Sequence, residues 1–449
     1  MAVFCLPSSF LREVKSLKFL VTPRSEFAGT FKVPGDKSIS HRAVMFAAIA
    51  EGESRIQGFL EGEDCLATLQ AFAAMGVQSE RLENGDVVVQ GVGKQGLKAP
   101  TADLDIGNSG TSIRLLTGLL AGQAFRSCLR GDHSLMTRPM RRVCDPLALM
   151  GADLTTAESG TPPVEVRPVR QLQGIEYELP VASAQVKSAI LLAGLYAEGE
   201  TTVIESKATR DHTERMLQAF DYPIQKQGNR ITLTGGHSWQ GRRLQVPADI
   251  SSAAFFIVAA CIADHGEVVL PNVGLNPTRT GVLDILLAMN ADIEIRQQQL
   301  VDGEPVATIV ARASRLRGVD VPTELVPSAI DEFPIICIAA ACAEGTTRIT
   351  EAAELRVKES DRIAQVAKGL QTLGIEHEEF ADGLSIVGGP IGGGRIDSAS
   401  DHRIAMAFTV ASLAAREPIE IIDCANVATS FPDFVALATD AGLSIEVCE

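Results

Sequence analysis

Two cations lie at the start of an otherwise apolar segment, PGDKSISHR at residues 34–42. Asp36 or Ser38 can cap a helix that begins here. Lys37 falls in the first turn of that helix and Arg42 one turn further along. The backbone N–H groups, the helix dipole and the cations would then face one place, as they do in anion sites. A buried arginine is costly without an anionic partner, so we expect a carboxylate or a phosphate at Arg42.

Other segments repeat this arrangement. IGNSGTSIR at 106–114 combines glycines that allow close backbone approach with Arg114 one turn inside an apolar run. SDHR at 400–403 places Arg403 at the start of a further apolar run. Helix capping with a solvated charge would explain any one of these segments. Their number in one chain favours anion binding.

Two further segments carry carboxylates that could transfer protons. IDEFPII at 330–336 places Asp331 just before a run that must be core. A carboxylate there is either paired with a cation or has a raised pKa, and both are usual for a proton-transfer residue. LRVKESDR at 355–362 interleaves three cations with two carboxylates, among them Glu359. The alternative for this segment is an exposed helix start with ordinary i,i+4 pairs.

The composition limits the class of protein. A chain of 449 residues with 46% hydrophobic content favours two domains. The net charge of −16 and the dispersed Lys and Arg residues argue against a nucleic-acid partner. With no CxxC, no HExxH and no acidic cluster at ligand spacing, we expect neither a metal nor an organic cofactor. No apolar run of about 18 residues occurs and residues 1–15 lack a signal-peptide pattern, so we expect a cytoplasmic protein without a membrane partner.

The elements that must position these residues recur in six units. Each unit contains an amphipathic helix that ends at a short turn, followed by the start of a strand. These helix ends fall at 69–77, 146–154, 216–224, 283–293, 366–375 and 434–443. Each unit also contains a helix that is apolar almost all round and must therefore be buried. The apolar helices are expected at 38–50, 111–122, 183–195, 250–263, 328–343 and 401–415.

Three units per lobe would give two similar α/β lobes. In each, the three apolar helices would form the centre, with amphipathic helices and sheet outside. This arrangement inverts the usual exposed and core layers. We place the boundary between the third and fourth units near residues 247–249.

The motifs together resemble the enolpyruvyltransferase family. PGDKSISHR, GNSGTSIR, TRPM, RVKESDR, DHRIAMA and ATSFPDF occur in the order of that family, over nearly the whole chain beyond about residue 20. The resemblance implies two inside-out α/β domains, each of three repeated units with buried parallel helices, joined by a double hinge. Domain one would comprise residues 1–34 and 249–449, and domain two residues 35–248. The implied reaction is transfer of the enolpyruvyl group of phosphoenolpyruvate to the 5-hydroxyl of 3-phosphoshikimate, by a monomer without a cofactor.

The resemblance also implies a role for individual residues. The catalytic residues would be Asp331, Glu359 and Lys37. The 3-phosphoshikimate site would comprise Lys37, Ser38, Arg42, Ser183, Gln185, Thr209, Arg210, Asp331 and Lys358. The phosphoenolpyruvate site, which glyphosate occupies in this family, would comprise Lys37, Gly110, Arg138, Gln185, Arg362 and Arg403. Because these cations come from both halves of the chain, we expect them to repel one another until an anion bridges them and closes the lobes.

The chain departs from the family pattern at one position. Many members carry a lysine ahead of TSFPDF that binds phosphoenolpyruvate, and Ala425 stands at about that register here. The second class of the family tolerates this change, and TRDHTERML at 209–217 is similar to that class. Arg138 and Arg403 are expected to supply the missing charge.

Two other functions fit part of the pattern. The sister enzyme that uses UDP-N-acetylglucosamine normally has a cysteine ahead of the Arg-Pro dipeptide, whereas GDHSLMTRPM at 131–140 has none. A non-catalytic sugar-phosphate binder on the same repeat would need the cations but would have no use for Asp331 or Glu359. Both readings are therefore disfavoured.

Overall fold

The computed structural model describes residues 17–449, so the predictions about residues 1–15 lie outside the described part of the chain. The helices are α1 Lys37–Ala48, α2 Glu63–Ala74, α3 Gly110–Ala121, α4 Arg141–Leu149, α5 Ala184–Gly194, α6 His212–Ala219, α7 Ile250–Ile262, α8 Gly281–Ala288, α9 Val326–Ala329, α10 Phe333–Ala341, α11 Arg362–Thr372, α12 His402–Ala411 and α13 Phe434–Asp440. Short 3-10 segments lie at Leu135–Thr137, Ala353–Val357 and Ala425–Thr429. Among residues 17–449, no helix is long and apolar enough to cross a membrane.

The strands are short and distributed along the whole described chain. They are β1 Lys18–Thr22, β2 Gly29–Thr30, β3 Glu51–Gln57, β4 Gln78–Arg81, β5 Val87–Val92, β6 Leu104–Asp105, β7 Ser127–Arg130, β8 Asp153–Thr155, β9 Val164–Arg167, β10 Glu176–Glu178, β11 Glu200–Ile204, β12 Ile224–Gln227, β13 Arg230–Thr234, β14 Arg243–Gln245, β15 Glu267–Gly274, β16 Asp292–Val301, β17 Glu304–Arg312, β18 Thr346–Ile349, β19 His377–Phe380, β20 Gly383–Val387, β21 Gly394–Asp397, β22 Ile419–Ile422 and β23 Ser444–Cys448.

Buried apolar side chains form two separate cores. One core consists of side chains between residues 39 and 246, and we call this part of the chain the contiguous lobe. The other combines residues 19–33 with residues 248–443, and we call this part the composite lobe. The chain crosses between the lobes twice, and the crossings are paired: Asp36 N donates to Pro247 O at 2.8 Å and Asp249 N to Pro34 O at 2.8 Å. This division of the core supports the predicted boundaries near 34 and 248, which stay a prediction.

Six small sheets surround the two cores. The contiguous lobe contains the orders β14-β3-β5-β4, β6-β7-β9-β8 and β10-β11-β13-β12. The composite lobe contains β16-β17-β15-β2, β18-β20-β19 and β21-β22-β1-β23. In the last of these, β1 pairs antiparallel with both β22 and β23. Three sheets per lobe confirm the six repeated units and the inside-out α/β fold.

The apolar helices α1, α3 and α5 lie in the core of the contiguous lobe, and α7, α10 and α12 in that of the composite lobe. Small residues let their backbones touch. A Cβ at Gly118 of α3 would lie 2.1 Å from the carbonyl oxygen of Ala189 in α5, so only glycine fits there. Five of the six helices begin with a side-chain cap, from Asp36, Ser109, Ser183, Asp249 and Asp401. Of the two caps predicted for the first of these helices, Asp36 is the one observed.

The sixth apolar helix differs from the prediction. A single helix was expected at 328–343, but the structure has α9 and α10 with Asp331 and Glu332 between them. Pro334 in the first turn of α10 has no N–H to donate, and its ring excludes a helical hydrogen bond to the carbonyl four residues back. Ile335 N, four residues after Asp331, donates instead to Glu332 O at 3.1 Å, so the Asp331 carbonyl can accept a hydrogen bond from a side chain.

Candidate active site

Asp331 lies in the break between α9 and α10, where it is surrounded by cations. Arg210 of the contiguous lobe pairs with one of its oxygens. Lys358 Nζ lies 3.3 Å and Arg362 Nη1 3.5 Å from the other. Burial alone would raise the pKa of Asp331, but the charges of Arg210, Lys358 and other cations outweigh it and hold the pKa well below its usual value. Of the two predicted states, the carboxylate paired with cations is the one observed, and its pKa is lowered rather than raised.

Glu359 lies just before α11 and bridges the lobes. Its Oε2 is 2.7 Å from Arg362 Nη2, and its Oε1 is 3.4 Å from Arg138 Nη1 of the contiguous lobe. Burial opposes ionisation of Glu359, but Arg362 and Arg138 hold its pKa well below the usual value. The Arg362 guanidinium thus contacts both Asp331 and Glu359.

Arg362 itself is held from behind. It is 1% exposed, and its Nε lies 2.8 Å from an oxygen of Asp401. The alternative of an exposed helix start is therefore wrong for Arg362. Ordinary local pairs do occur in the same segment, between Lys358 and Glu354 at 3.1 Å and between Arg356 and Asp361 at 2.8 Å.

Lys37, the first residue of α1, faces the cleft between the lobes. Its Nζ pairs with Asp64 and donates a hydrogen bond to Ser430 Oγ of the composite lobe at 2.8 Å. The Ser430 hydroxyl also lies 3.2 Å from His402 Nε2. Burial, reinforced by the charge of Lys37, lowers the pKa of His402 to about 3, so this imidazole is neutral at physiological pH. The segment that carries Ala425 therefore meets Lys37 through Ser430 rather than through a second cation.

Arg114, in the second turn of α3, has no carboxylate partner among residues 17–449 and lies near other arginines. Arg114 Nη1 donates to Gln185 Oε1 at 2.7 Å, and Gln185 Nε2 donates to Thr111 Oγ1 at 3.1 Å. Burial and the charges of Arg142 and Arg138 lower the pKa of Arg114 to about 9. A bound anion would relieve this repulsion.

Gly110 lies between the guanidinium groups of this cluster. A Cβ there would be 3.0 Å from Arg114 Nη1 and 3.0 Å from Arg138 Nη1. Arg138 is oriented from the other side by Asn108, whose Oδ1 accepts from Nη2 at 2.6 Å. The absence of a side chain at 110 therefore lets two guanidinium groups lie directly against the backbone.

Arg42, where a carboxylate or a phosphate was expected, is buried among hydroxyl and carbonyl oxygens. Its Nε donates to Thr213 Oγ1 at 2.8 Å and its Nη2 to Ser188 Oγ at 2.8 Å. Its Nη1 donates to the carbonyl of Ser38 at 2.9 Å. No carboxylate within residues 17–449 forms an ion pair with it, and burial lowers its pKa to about 10. A bound anionic ligand would therefore supply the negative charge beside Arg42.

The remaining predicted residues lie on the same side of the cleft. Ser183 caps α5 by accepting from Val186 N at 3.4 Å. Thr209 is held by Glu205, which accepts from both its hydroxyl and, at 3.1 Å, its backbone N–H. The hydroxyl proton of Thr209 is thus engaged by Glu205, and the hydroxyl oxygen can still accept a hydrogen bond.

Ion pairs across the cleft contradict one expectation. Cations of opposite lobes were expected to repel, but Arg210 pairs with Asp331 and Arg138 with Glu359 across the two lobes. The carboxylates occupy the places that a bridging anion was expected to fill. Ion pairs between opposite charges therefore join the two lobes.

Arg403 lies at the start of α12, where its N–H donates to Asp401 Oδ1 at 2.9 Å. Its Nη1 donates to the free Asp331 carbonyl at 2.9 Å and lies 3.4 Å from Glu332 Oε1. Sequence reasoning missed Asp401, although an acid directly before an apolar run was a visible cap signal. Among residues 17–449, no three His, Cys, Asp or Glu residues are grouped so that they could hold a metal ion.

Comparison with known proteins gives one consistent result. The family model of EPSP synthase (3-phosphoshikimate 1-carboxyvinyltransferase) matches residues 21–437. The 3-phosphoshikimate 1-carboxyvinyltransferase of Alkalilimnicola ehrlichii is 60% identical over 430 residues, which are 96% of this chain and 96% of that one. The corresponding protein of Nitrosococcus oceani is 58% identical, over 96% of this chain and 97% of its own. A structure of EPSP synthase from Acinetobacter baumannii gives a TM-score of 0.87 at 55% identity, covering 96% of this chain and 100% of the other.

Proposed function

Because the chain belongs to the EPSP synthase family, we propose that it transfers the enolpyruvyl group of phosphoenolpyruvate to the 5-hydroxyl of 3-phosphoshikimate and releases phosphate. This reaction belongs to aromatic amino-acid biosynthesis. The observation that carries the proposal is the arrangement around Arg362. One guanidinium holds Asp331 and Glu359 together, and cations of the other lobe face both carboxylates.

Phosphoenolpyruvate would bind between the lobes. Its ligands would be Lys37, Gly110, Arg138, Gln185, Arg362 and Arg403. Arg138 and Arg362 now share Glu359, so the carboxylate and phosphate of the substrate can take over these donors. Each charge-assisted hydrogen bond contributes about 1.5–3 kcal/mol before the cost of closure. Arg138 and Arg403 supply the charge that the lysine ahead of TSFPDF supplies in many members.

The acceptor would bind against α1, α5 and the start of α6. Its ligands would be Lys37, Ser38, Arg42, Ser183, Gln185, Thr209, Arg210, Asp331 and Lys358. The absence of an acidic partner for Arg42 among residues 17–449 supports a phosphate or hydroxyl ligand there. Arg210 and Lys358 both contact Asp331, so that carboxylate can meet the 5-hydroxyl beside them.

The reaction needs an acid and a base at the same time. Carbon C2 of phosphoenolpyruvate becomes electrophilic when C3 accepts a proton, which Glu359 would deliver. Asp331 would take the proton of the 5-hydroxyl as that oxygen attacks C2. The C2–O bond to phosphate then breaks, Lys37 stabilises the departing oxygen, and Glu359 recovers the proton from C3. Binding of the anionic substrates occupies the neighbouring cations, and this raises the pKa of both carboxylates towards the range that proton transfer requires.

Three further properties are proposed with the activity. The protein would be a cytoplasmic monomer, it would have no nucleic-acid or membrane partner, and glyphosate would compete with phosphoenolpyruvate. Light scattering coupled to gel filtration measures the molar mass in solution and so tests whether the protein is a monomer.

The activity itself is tested by phosphate release. The purified protein is given phosphoenolpyruvate with 3-phosphoshikimate, with UDP-N-acetylglucosamine, or with no acceptor. We expect phosphate only with 3-phosphoshikimate, together with a product that carries the enolpyruvyl ether. Release with UDP-N-acetylglucosamine instead, or no release with either acceptor, would refute the proposal.

A further inference from the structure

Arg279 is a buried arginine with no place in the mechanism above. It lies just before α8 and is 3% exposed. Its Nη1 is 3.3 Å from Asp36 Oδ2, and its Nη2 is 3.4 Å from Asp249 Oδ1. Nη2 also donates to Ser251 Oγ at 2.5 Å and lies 3.7 Å from Glu332 Oε1. Three carboxylates from separate parts of the chain thus surround one guanidinium.

Two of these carboxylates mark the points where the chain passes between the lobes. Asp36 caps α1 of the contiguous lobe, and Asp249 caps α7 of the composite lobe. Asp249 Oδ2 also accepts from the backbone N–H of Lys37 at 3.3 Å. Arg279 therefore fixes the first turns of α1 and α7 relative to each other, and the Lys37 side chain starts from this point.

The third carboxylate leads to the candidate phosphoenolpyruvate site. Glu332 has a fully buried side chain and accepts a hydrogen bond from Ser251. The same oxygen that faces Arg279 lies 3.4 Å from Arg403 Nη1. That nitrogen of Arg403 also donates to the Asp331 carbonyl. A continuous series of charged groups thus runs from the hinge to the cleft.

We propose that Arg279 is a positioning residue that, through Glu332, sets the placement of Arg403 in the candidate phosphoenolpyruvate site. Lys37 and Arg403 then converge on one phosphoenolpyruvate molecule. Arg279 is assigned to neither substrate. The acceptor residues just before α6 are fixed by other contacts, such as that of Thr209 with Glu205. The inference rests on the proposed function, since it concerns how that site is assembled.

The chain offers a matched control. Arg312 also has three carboxylate partners, Glu267 at 2.7 Å, Asp292 at 3.3 Å and Glu294 at 3.1 Å, but on an outer sheet of the composite lobe. Replacement of either arginine by lysine keeps the charge and loses the planar geometry that joins several carboxylates. Only Arg279 is connected to the cleft.

The test compares four proteins by steady-state kinetics: wild type, Arg279→Lys, Glu332→Gln and the control Arg312→Lys. We expect both Arg279→Lys and Glu332→Gln to raise the KM for phosphoenolpyruvate about tenfold or more, with the KM for 3-phosphoshikimate within about twofold. Thermal unfolding verifies that each variant is folded. Glu332→Gln keeps Arg279 in place, so it reports on the connection even where an Arg279 variant fails to fold.

The outcomes separate this inference from the proposed function. Activity of wild type and Arg312→Lys with 3-phosphoshikimate decides the proposed function. If that activity is present and both other variants have an unchanged KM for phosphoenolpyruvate, Arg279 has a structural role only and the inference is overturned. Equal increases in both KM values would overturn it as well, because a general loss of closure affects both substrates.

Discussion

Replacement of Gly110 by alanine adds one methyl group beside two guanidinium groups of the candidate phosphoenolpyruvate site. The new Cβ would lie 3.0 Å from Arg114 Nη1 and 3.0 Å from Arg138 Nη1. Ordinary carbon–nitrogen contacts are longer by a few tenths of an ångström, so one or both arginines must move. Gly110 has no positive φ, so alanine does not strain the backbone.

Movement of either arginine has a calculable consequence. Arg114 is held by Gln185 at 2.7 Å and Arg138 by Asn108 at 2.6 Å, so a shift weakens an existing bond or a ligand contact. Loss of one charge-assisted hydrogen bond costs about 1.5–3 kcal/mol, which corresponds to roughly 10- to 150-fold in affinity. Phosphoenolpyruvate can avoid part of this loss of affinity, because the arginine side chains can adjust to it. Glyphosate is longer and meets the methyl group itself, so we expect its inhibition constant to rise further.

The assay measures glyphosate inhibition at fixed 3-phosphoshikimate with varied phosphoenolpyruvate, for wild type and Gly110→Ala. Gly389→Ala is the control, because a Cβ there has nothing within 4 Å. We expect competitive inhibition of the wild type, and a rise in the inhibition constant for Gly110→Ala that exceeds the rise in KM. Non-competitive inhibition, or an inhibition constant that Gly110→Ala leaves unchanged, would show that Gly110 does not border this pocket.

Three further outcomes are expected. The Asp331→Asn variant should still bind both substrates, but its kcat should be lower by a factor of about 10²–10⁴, because the amide keeps the shape of the side chain and cannot accept the proton. Turnover like that of wild type would remove Asp331 from the mechanism. His402 is neutral in the folded protein, because its pKa there is lowered to about 3. In the unfolded state it binds a proton below about pH 6.5. The free energy of unfolding should therefore decrease as the pH is lowered, by about 2 kcal/mol at pH 5. Unfolding midpoints from pH 8 to 5 should show less of this fall in His402→Asn than in a variant of the exposed His133, and equal falls would contradict it. The ion pairs Arg210–Asp331 and Arg138–Glu359 should weaken at about 1 M salt. Small-angle scattering should then show a larger radius of gyration for the protein without substrate, but not at saturating 3-phosphoshikimate. A radius that does not depend on salt would argue against these pairs as the force that closes the lobes.

The fold was predictable because each of the six units is encoded locally. A helix that is apolar all round must be buried wherever it occurs, and this property can be read from about twelve consecutive residues. The break at Asp331 was equally local, since Pro334 was visible. There the long apolar pattern of 328–343 was given more weight than the proline.

The candidate site was predictable only in part, because its contacts join distant residues. Arg210 and Asp331 are 121 positions apart, and Arg279 and Asp36 are 243 apart. Nothing in NPTRTG at 276–281 indicates that Arg279 is buried, since a charge in a polar loop is usually solvated. The predicted repulsion between cations of opposite lobes was wrong for the same reason. The sequence does not show that Asp331 and Glu359 lie beside those cations.

The position of β1 determines when the composite lobe can form during synthesis. β1 ends at Thr22, and the two strands on either side of it begin at Ile419 and Ser444. Ribosomes add about 5–20 residues per second, so the roughly 400 residues between β1 and β22 take about 20–80 s to make. The contiguous lobe can complete its core within this interval, while both edges of β1 stay unpaired. Its partners arrive only when residues 419–448 have left the ribosome, so β1, the first strand within residues 17–449, is among the last to be paired.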